Sequence, residues 1–204
     1  MQVNHSINLD FSSGVRALMR QDPDIIMIGE IRDLETANMA VQAALTGHLV
    51  LSTLHTNDSP SSISRLLELG VPAYLIKATV RGVMSQRLVR ILCQQCKEMG
   101  PVDLDAWQQL TQPWKVEPPA EMARPVGCKT CRDTGYMGRQ GIYEVLLNSS
   151  AVQQQITASL ETARIREIAM REGMHTLRLS GAQRVARGQT TIEEVMRVAP
   201  LLDA

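Results

Sequence analysis

Two sets of residues in this chain of 204 have the types and spacing for chemistry. The first centres on Glu30, which follows the apolar run Ile25-Ile26-Met27-Ile28 after a single glycine, in the stretch DPDIIMIGEIRD. A core strand that ends in a lone carboxylate either leaves it to solvent or uses it. His55, Thr56 and Asn57 follow a second apolar run, LVLSTL at 49–54, in the same way, and Arg32 stands just past Glu30. The second set is the cysteines, all four of which fall in the pairs Cys93/Cys96 and Cys128/Cys131. Two residues between cysteines let both thiolates reach one ion. Four thiolates suit tetrahedral Zn2+ and leave no open coordination position, as in a structural metal site.

The elements that must position the first set can be read locally. Residues 25–28 form a continuous apolar run of strand length bounded by turn signals, which predicts a strand buried on both faces. Asp33 is a natural N-cap for the helix LETANMAVQAALTG, whose apolar face is Leu34, Ala37, Val41, Ala44 and Leu45 and whose stop is Gly47. Residues 49–54 supply a second strand. Strand, helix and strand at this spacing make a βαβ unit, hence a parallel sheet. Ligands of such sheets sit beyond the carboxyl ends of the strands, where Glu30 and His55 both fall.

Upstream, SGVRALMRQ at 13–21 reads as a short helix capped by Ser13, with Arg16 and Arg20 on one face. Downstream, SPSSISRLLELG reads as a helix with Ser59 as N-cap and Pro60 at its first position. PAYLIKATVRGVMSQRLVRIL then predicts a second amphipathic helix on which Arg87 and Arg90 cover a solvated face. The segment between the cysteine pairs is loop-rich and holds both tryptophans and five of the nine prolines. Zinc is expected to close a loop there that its apolar content could not hold. After Cys131 the glycines of GYMGRQGIYEVL lead into a strand, and the tail predicts helices near 151–160, 161–172, 175–188 and 191–198. Thr191 and Glu194 have the spacing of a capping box for the last, and His175 reads as a surface or packing residue.

Composition narrows the function. Zero net charge and the absence of interleaved aromatic and basic residues argue against nucleic acid as a partner. Seventeen arginines against four lysines favour bidentate contact with phosphate or carboxylate. No run of eighteen apolar residues and no signal-peptide pattern occur, which predicts a cytoplasmic protein.

The stretch RALMRQDPDIIMIGEIRDLETANMAVQAALTGHLVLSTLHTND resembles the core of the secretion ATPases, the GspE/PilB family that powers type II secretion and type IV pilus assembly. The resemblance extends over nearly the whole chain. It implies an α/β fold: a partial RecA-like P-loop NTPase core over 1–90, a tetracysteine zinc insert over 91–135, and a C-terminal strand with a helical subdomain over 136–204. It implies that IIMIGE is the Walker B strand, with Glu30 acting on Mg2+-bound ATP and its water. TGHLVLSTLHTN becomes the His box, with His48 and His55 near the γ-phosphate. Arg16, Arg20, Arg32 and Arg139 fall where the family has arginines that reach nucleotide or a neighbouring subunit. A homo-hexamer, peripheral at the inner membrane through secretion or pilus platform proteins, is the implied assembly.

One departure matters. A phosphate cradle has the form G-x-x-x-x-G-K-[ST], and Lys77, Lys97, Lys115 and Lys129 follow Ile, Cys, Trp and Cys, so no Gly-Lys pair occurs. The family's acidic segment between Walker A and Walker B is absent too. The chain thus resembles the carboxyl-terminal portion of such an ATPase and is expected to be inactive alone. The competing readings are a non-catalytic zinc-stabilised paralogue or adaptor of the secretion platform, and a zinc-stabilised nucleic-acid module.

Overall fold

The computed structural model describes residues 23–199, with Gly14 and Gln21 before them. Arg16, Arg20 and the body of the helix expected at 13–21 lie outside the described residues. The chain divides into two compact units: the residues up to Val83 with Leu146–Ala169, and Met84–Val145 with the residues from Met170 onward.

In the first unit, β1 (Ile25–Ile28) and β2 (Leu49–Ser52) flank α1 (Leu34–Leu45). The strands pair in parallel, Ile25 opposite Leu49 and Ile28 opposite Ser52, so the βαβ expectation holds. Asp33 caps α1 by accepting from the Thr36 N–H at 2.8 Å. The helix ends in a Schellman motif: Gly47 N–H reaches Ala44 C=O at 3.2 Å and His48 N–H reaches Ala43 C=O at 3.2 Å. That motif needs a left-handed residue after the cap, and Gly47 supplies it at φ +101°.

β1 differs from the expectation of two-sided burial. Ile26 and Ile28 are buried with Ala40 and Ala43, whereas Ile25 is 58% and Met27 74% exposed. Their register partners Leu49 and Leu51 are exposed on the same side. An apolar run fits burial on either one face or two, and the described residues cover one.

α2 (Ser59–Glu68) follows, with Asp58 and not Ser59 as its N-cap. The Asp58 carboxylate accepts from Ser61 N–H at 2.8 Å, which moves Ser59 and Pro60 one place into the helix. α3 (Ala73–Thr79) is short, and the helix expected to run on from it is instead the strand β3 (Gly82–Leu92). Exposure alternates along β3, with Ser85 and Val89 buried and Met84 and Leu88 exposed. Those two exposed apolar residues hide the polar–apolar alternation that would identify a strand. Val83, Val89 and Ile91 are β-branched and favour extended chain, and Gly82 disfavours helix. α5 (Ser150–Gln155) and most of α6 (Thr162–Arg171) also belong to this unit, whereas β3 from Met84 onward belongs to the second.

The second unit holds the segment between the cysteine pairs, which is more than the loop expected there. It contains β4 (Glu98–Gly100) antiparallel to β5 (Met122–Arg124), with α4 (Leu104–Thr111) between them. Trp107, Leu110 and Met122 share one core with Val89 and Ile142 and with Leu177, Val185, Ile192 and Val195 of the C-terminal helices. Ile142 lies on β6 (Tyr136–Leu147), which pairs with β3. The C-terminal helices are α7 (Leu177–Ala186) and α8 (Ile192–Val198). They pack so closely that a Cβ on Gly181 would stand 2.3 Å from a Val195 methyl.

Candidate functional site

In the first unit, the parallel pairing of β1 and β2 continues one step past the strands. Thr53 Oγ1 donates to Gly29 C=O at 2.7 Å, and Ile31 N–H donates to Thr53 C=O at 3.0 Å. The backbone on either side of Glu30 is therefore tied to Thr53, the residue just after β2. The Glu30 side chain is 19% exposed and is gripped on both oxygens. Arg32 Nε donates to Oε2 at 2.5 Å, and His55 Nε2 lies 2.7 Å from Oε1. Exposed pairs of this kind contribute about 0–1 kcal/mol to stability, so stability alone is a weak reason for the arrangement. A carboxylate held in one orientation at the carboxyl end of a parallel sheet can bind a hydrated cation or orient a water. The neighbouring guanidinium and imidazole can meet anionic oxygens.

His48 is not part of this cluster. It precedes β2, at the opposite end of the strand from His55. Seven residues of extended chain separate them by about 20 Å. Its Nδ1 lies 3.0 Å from both Ala43 C=O and Thr46 Oγ1, so the ring closes the carboxyl end of α1. Arg139 lies exposed on β6 in the other unit.

Two residues next to the cluster escaped sequence reasoning. Asp58, 2% exposed, receives Arg166 Nη2 at 2.8 Å as well as the Ser61 N–H. Burial pushes its carboxyl up, but these donors outweigh burial and hold it below the usual carboxylate range. The order Asp-Ser-Pro could have indicated the cap. No local signal names Arg166, which lies 108 positions away.

The second unit assembles the cysteines. All four Sγ atoms lie within 4.8 Å of one another, with Cys93–Cys128 at 4.0 Å and Cys96–Cys131 and Cys128–Cys131 at 3.8 Å. A tetrahedron with metal–sulfur bonds of about 2.3 Å has edges of about 3.8 Å, so the thiols fit one tetrahedral ion. Backbone amides support them. Gly127 N–H points at Cys96 Sγ at 3.3 Å, and Cys128 and Gly135 N–H point at Cys131 Sγ at 3.2 Å each. Gly135 sits at φ +73°, with Pro125 so near that a Cβ would clash. Burial pushes the Cys96 thiol up to about 11. At Cys131 burial acts the same way but the amides of Cys128 and Gly135 outweigh it, leaving about 6. Four thiols this close cannot all ionise without a cation among them.

A family profile described as type II/IV secretion system protein matches residues 1–197. The chain belongs to that family. Among its relatives in the type II/IV secretion family, the type IV pilus assembly ATPase TfpB of Acinetobacter baylyi is 54% identical over 98% of this chain and 34% of its own. Type II secretion system protein E of Aeromonas hydrophila is 45% identical over 97% of this chain and 39% of its own. The chain thus spans about a third of the length of the curated relatives it matches. In structure it resembles the pilus retraction motor PilT with bound ADP, at TM-score 0.63, 25% identity, 94% of this chain and 44% of that one. It also resembles the ATPase DotB of Legionella pneumophila in fold, at TM-score 0.64 and 22% identity over 93% of this chain and 42% of that one. The α/β fold expected for this family is therefore the fold found. No helix among the described residues is long and apolar enough to cross a membrane.

Proposed function

We propose that this chain forms the Walker B and His-box part of a nucleotide-hydrolysing motor that serves type II secretion or type IV pilus assembly. The observation that carries the reading is the Glu30 carboxylate, held by His55 and Arg32 beyond the ends of two parallel strands. Relatives named as secretion and pilus ATPases, and a structural neighbour that holds ADP, support a nucleotide as the ligand of that edge. In this reading Glu30 acts on Mg2+-bound ATP and its water, while Arg32 and His55 offset charge developing on the transferred phosphoryl group. Arg16, Arg20 and Arg139 are assigned to the nucleotide or to a neighbouring subunit of a homo-hexamer. His48 is assigned to holding the end of α1. The four cysteines hold a structural Zn2+, and inner-membrane platform proteins are the partners that bring the assembly to the membrane.

Putting this chain in place of the matched third of Acinetobacter baylyi TfpB is expected to give a chimera with Mg2+-dependent ATP hydrolysis. Glu30→Gln in that chimera keeps the shape of the side chain and removes its charge. Turnover should fall by roughly 10²–10³-fold with ATP binding retained. A chimera that binds ATP and hydrolyses it equally well with Gln at position 30 would overturn the role of Glu30. One that binds without hydrolysis in either form would favour the non-catalytic paralogue.

A further inference from the structure

His55 is exposed and meets Glu30 through one ring nitrogen, so its position depends on what holds the loop that carries it. That loop is anchored three residues later. Asp58 sits buried between the first turn of α2 and α6, taking Ser61 N–H and Arg166 Nη2 at 2.8 Å each. Thr56 Oγ1 lies 2.7 Å from Ser62 Oγ and donates to Asp58 C=O at 3.2 Å, so the intervening turn is tied to the same helix. Only three residues of chain separate Asp58 from His55, so the two lie within about 11 Å of each other on one short turn. On the other side, Arg166 is fixed beside Ile165, which is fully buried. Its own Nε is buried and has no partner among the described residues, so the guanidinium does not use all its donors in this arrangement.

We propose that Asp58 and Arg166 form a positioning pair that sets His55 against Glu30 and makes that contact depend on the seating of α6. The inference deepens the nucleotide reading of this edge. Without the guanidinium, the buried Asp58 carboxylate keeps the Ser61 donor but loses its ion-pair partner, so its charge is under-compensated. Loss of Arg166 leaves it to become hydrated or to take up a proton, and either releases the turn. The pair is therefore a two-position element: docked, with His55 on Glu30, or open, with His55 free of it. Whatever moves α6 biases the two.

Imidazole resonances of the 204-residue chain test this without nucleotide. In the parent chain, Glu30→Gln should shift His55 and leave His48 and His175 in place. Arg166→Gln should move the His55 signals and abolish their response to Glu30→Gln. Amide exchange over residues 53–58 should rise by about tenfold or more. Arg166→Lys, which keeps the charge, should recover part of the parent spectrum. Should Arg166→Gln fail to fold, Asp58→Asn keeps an oxygen for the Ser61 N–H and should reproduce the His55 effects. His55 signals that keep their positions and their response to Glu30→Gln in these variants would overturn the proposal. So would a shift shared equally by His48 and His175, the mark of general destabilisation. The chimera's turnover is a separate readout, so the positioning pair and the nucleotide reading can fail independently.

Discussion

A carboxylate as enclosed as Glu194, 3% exposed, keeps its charge because donors surround it. Arg90 gives its backbone N–H at 3.1 Å and its guanidinium at 2.6 Å, and Arg197 adds contacts at 3.0 and 3.2 Å. The Arg90 hydrogen bond is the largest of these influences and holds the carboxyl at about 2, against the cost of burial. The sign follows from linkage. A carboxyl whose folded value lies below its unfolded value of about 4.3 stabilises the fold above that pH, and the contribution is lost as pH falls toward 2. Urea midpoints measured from pH 6 down to pH 2 should therefore fall through that window. Glu194→Gln should flatten this part of the curve and lower stability at neutral pH by on the order of 1–3 kcal/mol. The sequence pattern proposed Glu194 as one half of a capping box. The Thr191 half forms, with Thr191 Oγ1 accepting Glu194 N–H at 3.3 Å, but the carboxylate turns to the arginines. Arg90, read as covering a solvated helix face, instead lies on a strand, pairs with Glu194 and stacks over the Tyr136 ring at 4.1 Å.

At the scale of elements, the segment between the cysteine pairs carries its own anchors. The Trp107 ring is buried and its Nε1 donates to Val116 C=O at 3.0 Å, while Lys97 Nζ reaches Gly188 C=O at 3.0 Å at the end of α7. The cysteine cluster therefore closes the two ends of this segment, and the shared core holds its middle. Protein purified without chelators should contain about one Zn2+ per chain and no disulfide. Stripping the metal, or Cys128→Ser, should lower the thermal midpoint while Trp107 fluorescence still reports a buried ring. Leu110→Ala should cost about 2–5 kcal/mol by leaving a cavity in the shared core, with zinc content unchanged. A Trp107 ring that became solvent-exposed on metal removal would show instead that the metal alone organises the segment.

For the whole molecule, the consequence of the half-covered sheet is an apolar face. Ile25, Met27, Leu49 and Leu51 stand on one side of β1 and β2 with no described residue covering them, in a chain without a Gly-Lys phosphate cradle. Exposed apolar area on a parallel sheet favours association. Sedimentation should show concentration-dependent self-association of the 204-residue chain, reduced by Met27→Glu with Leu51→Glu. Calorimetry with Mg-ATP should show weak binding or none, since amides of a glycine-rich loop supply most of the grip on a triphosphate. Micromolar binding would reveal a phosphate site built from other residues.

The sequence by itself determined the Asp33 cap and the Gly47 stop, which depend on contacts within a few residues. It indicated the βαβ unit and most of the tail helices through their periodicity, although the helix expected at 151–160 ends at Gln155. It also marked the four cysteines as one group: their type and spacing suit a single tetrahedral ion, and the fold brings their Sγ atoms within 4.8 Å of one another. Glu30, Arg32 and His55 were legible for a related reason: a parallel pair brings its two carboxyl ends to one edge. Tertiary structure decided the rest. It separated His48 from His55, since the two flank a strand and only pairing shows which end is which. It made β3 a strand, because its exposed Met84 and Leu88 mask the alternation and its pairing partner β6 lies far along the chain. It joined Asp58 to Arg166 and Arg90 to Glu194 across 108 and 104 positions, and no local pattern encodes a partner at that distance.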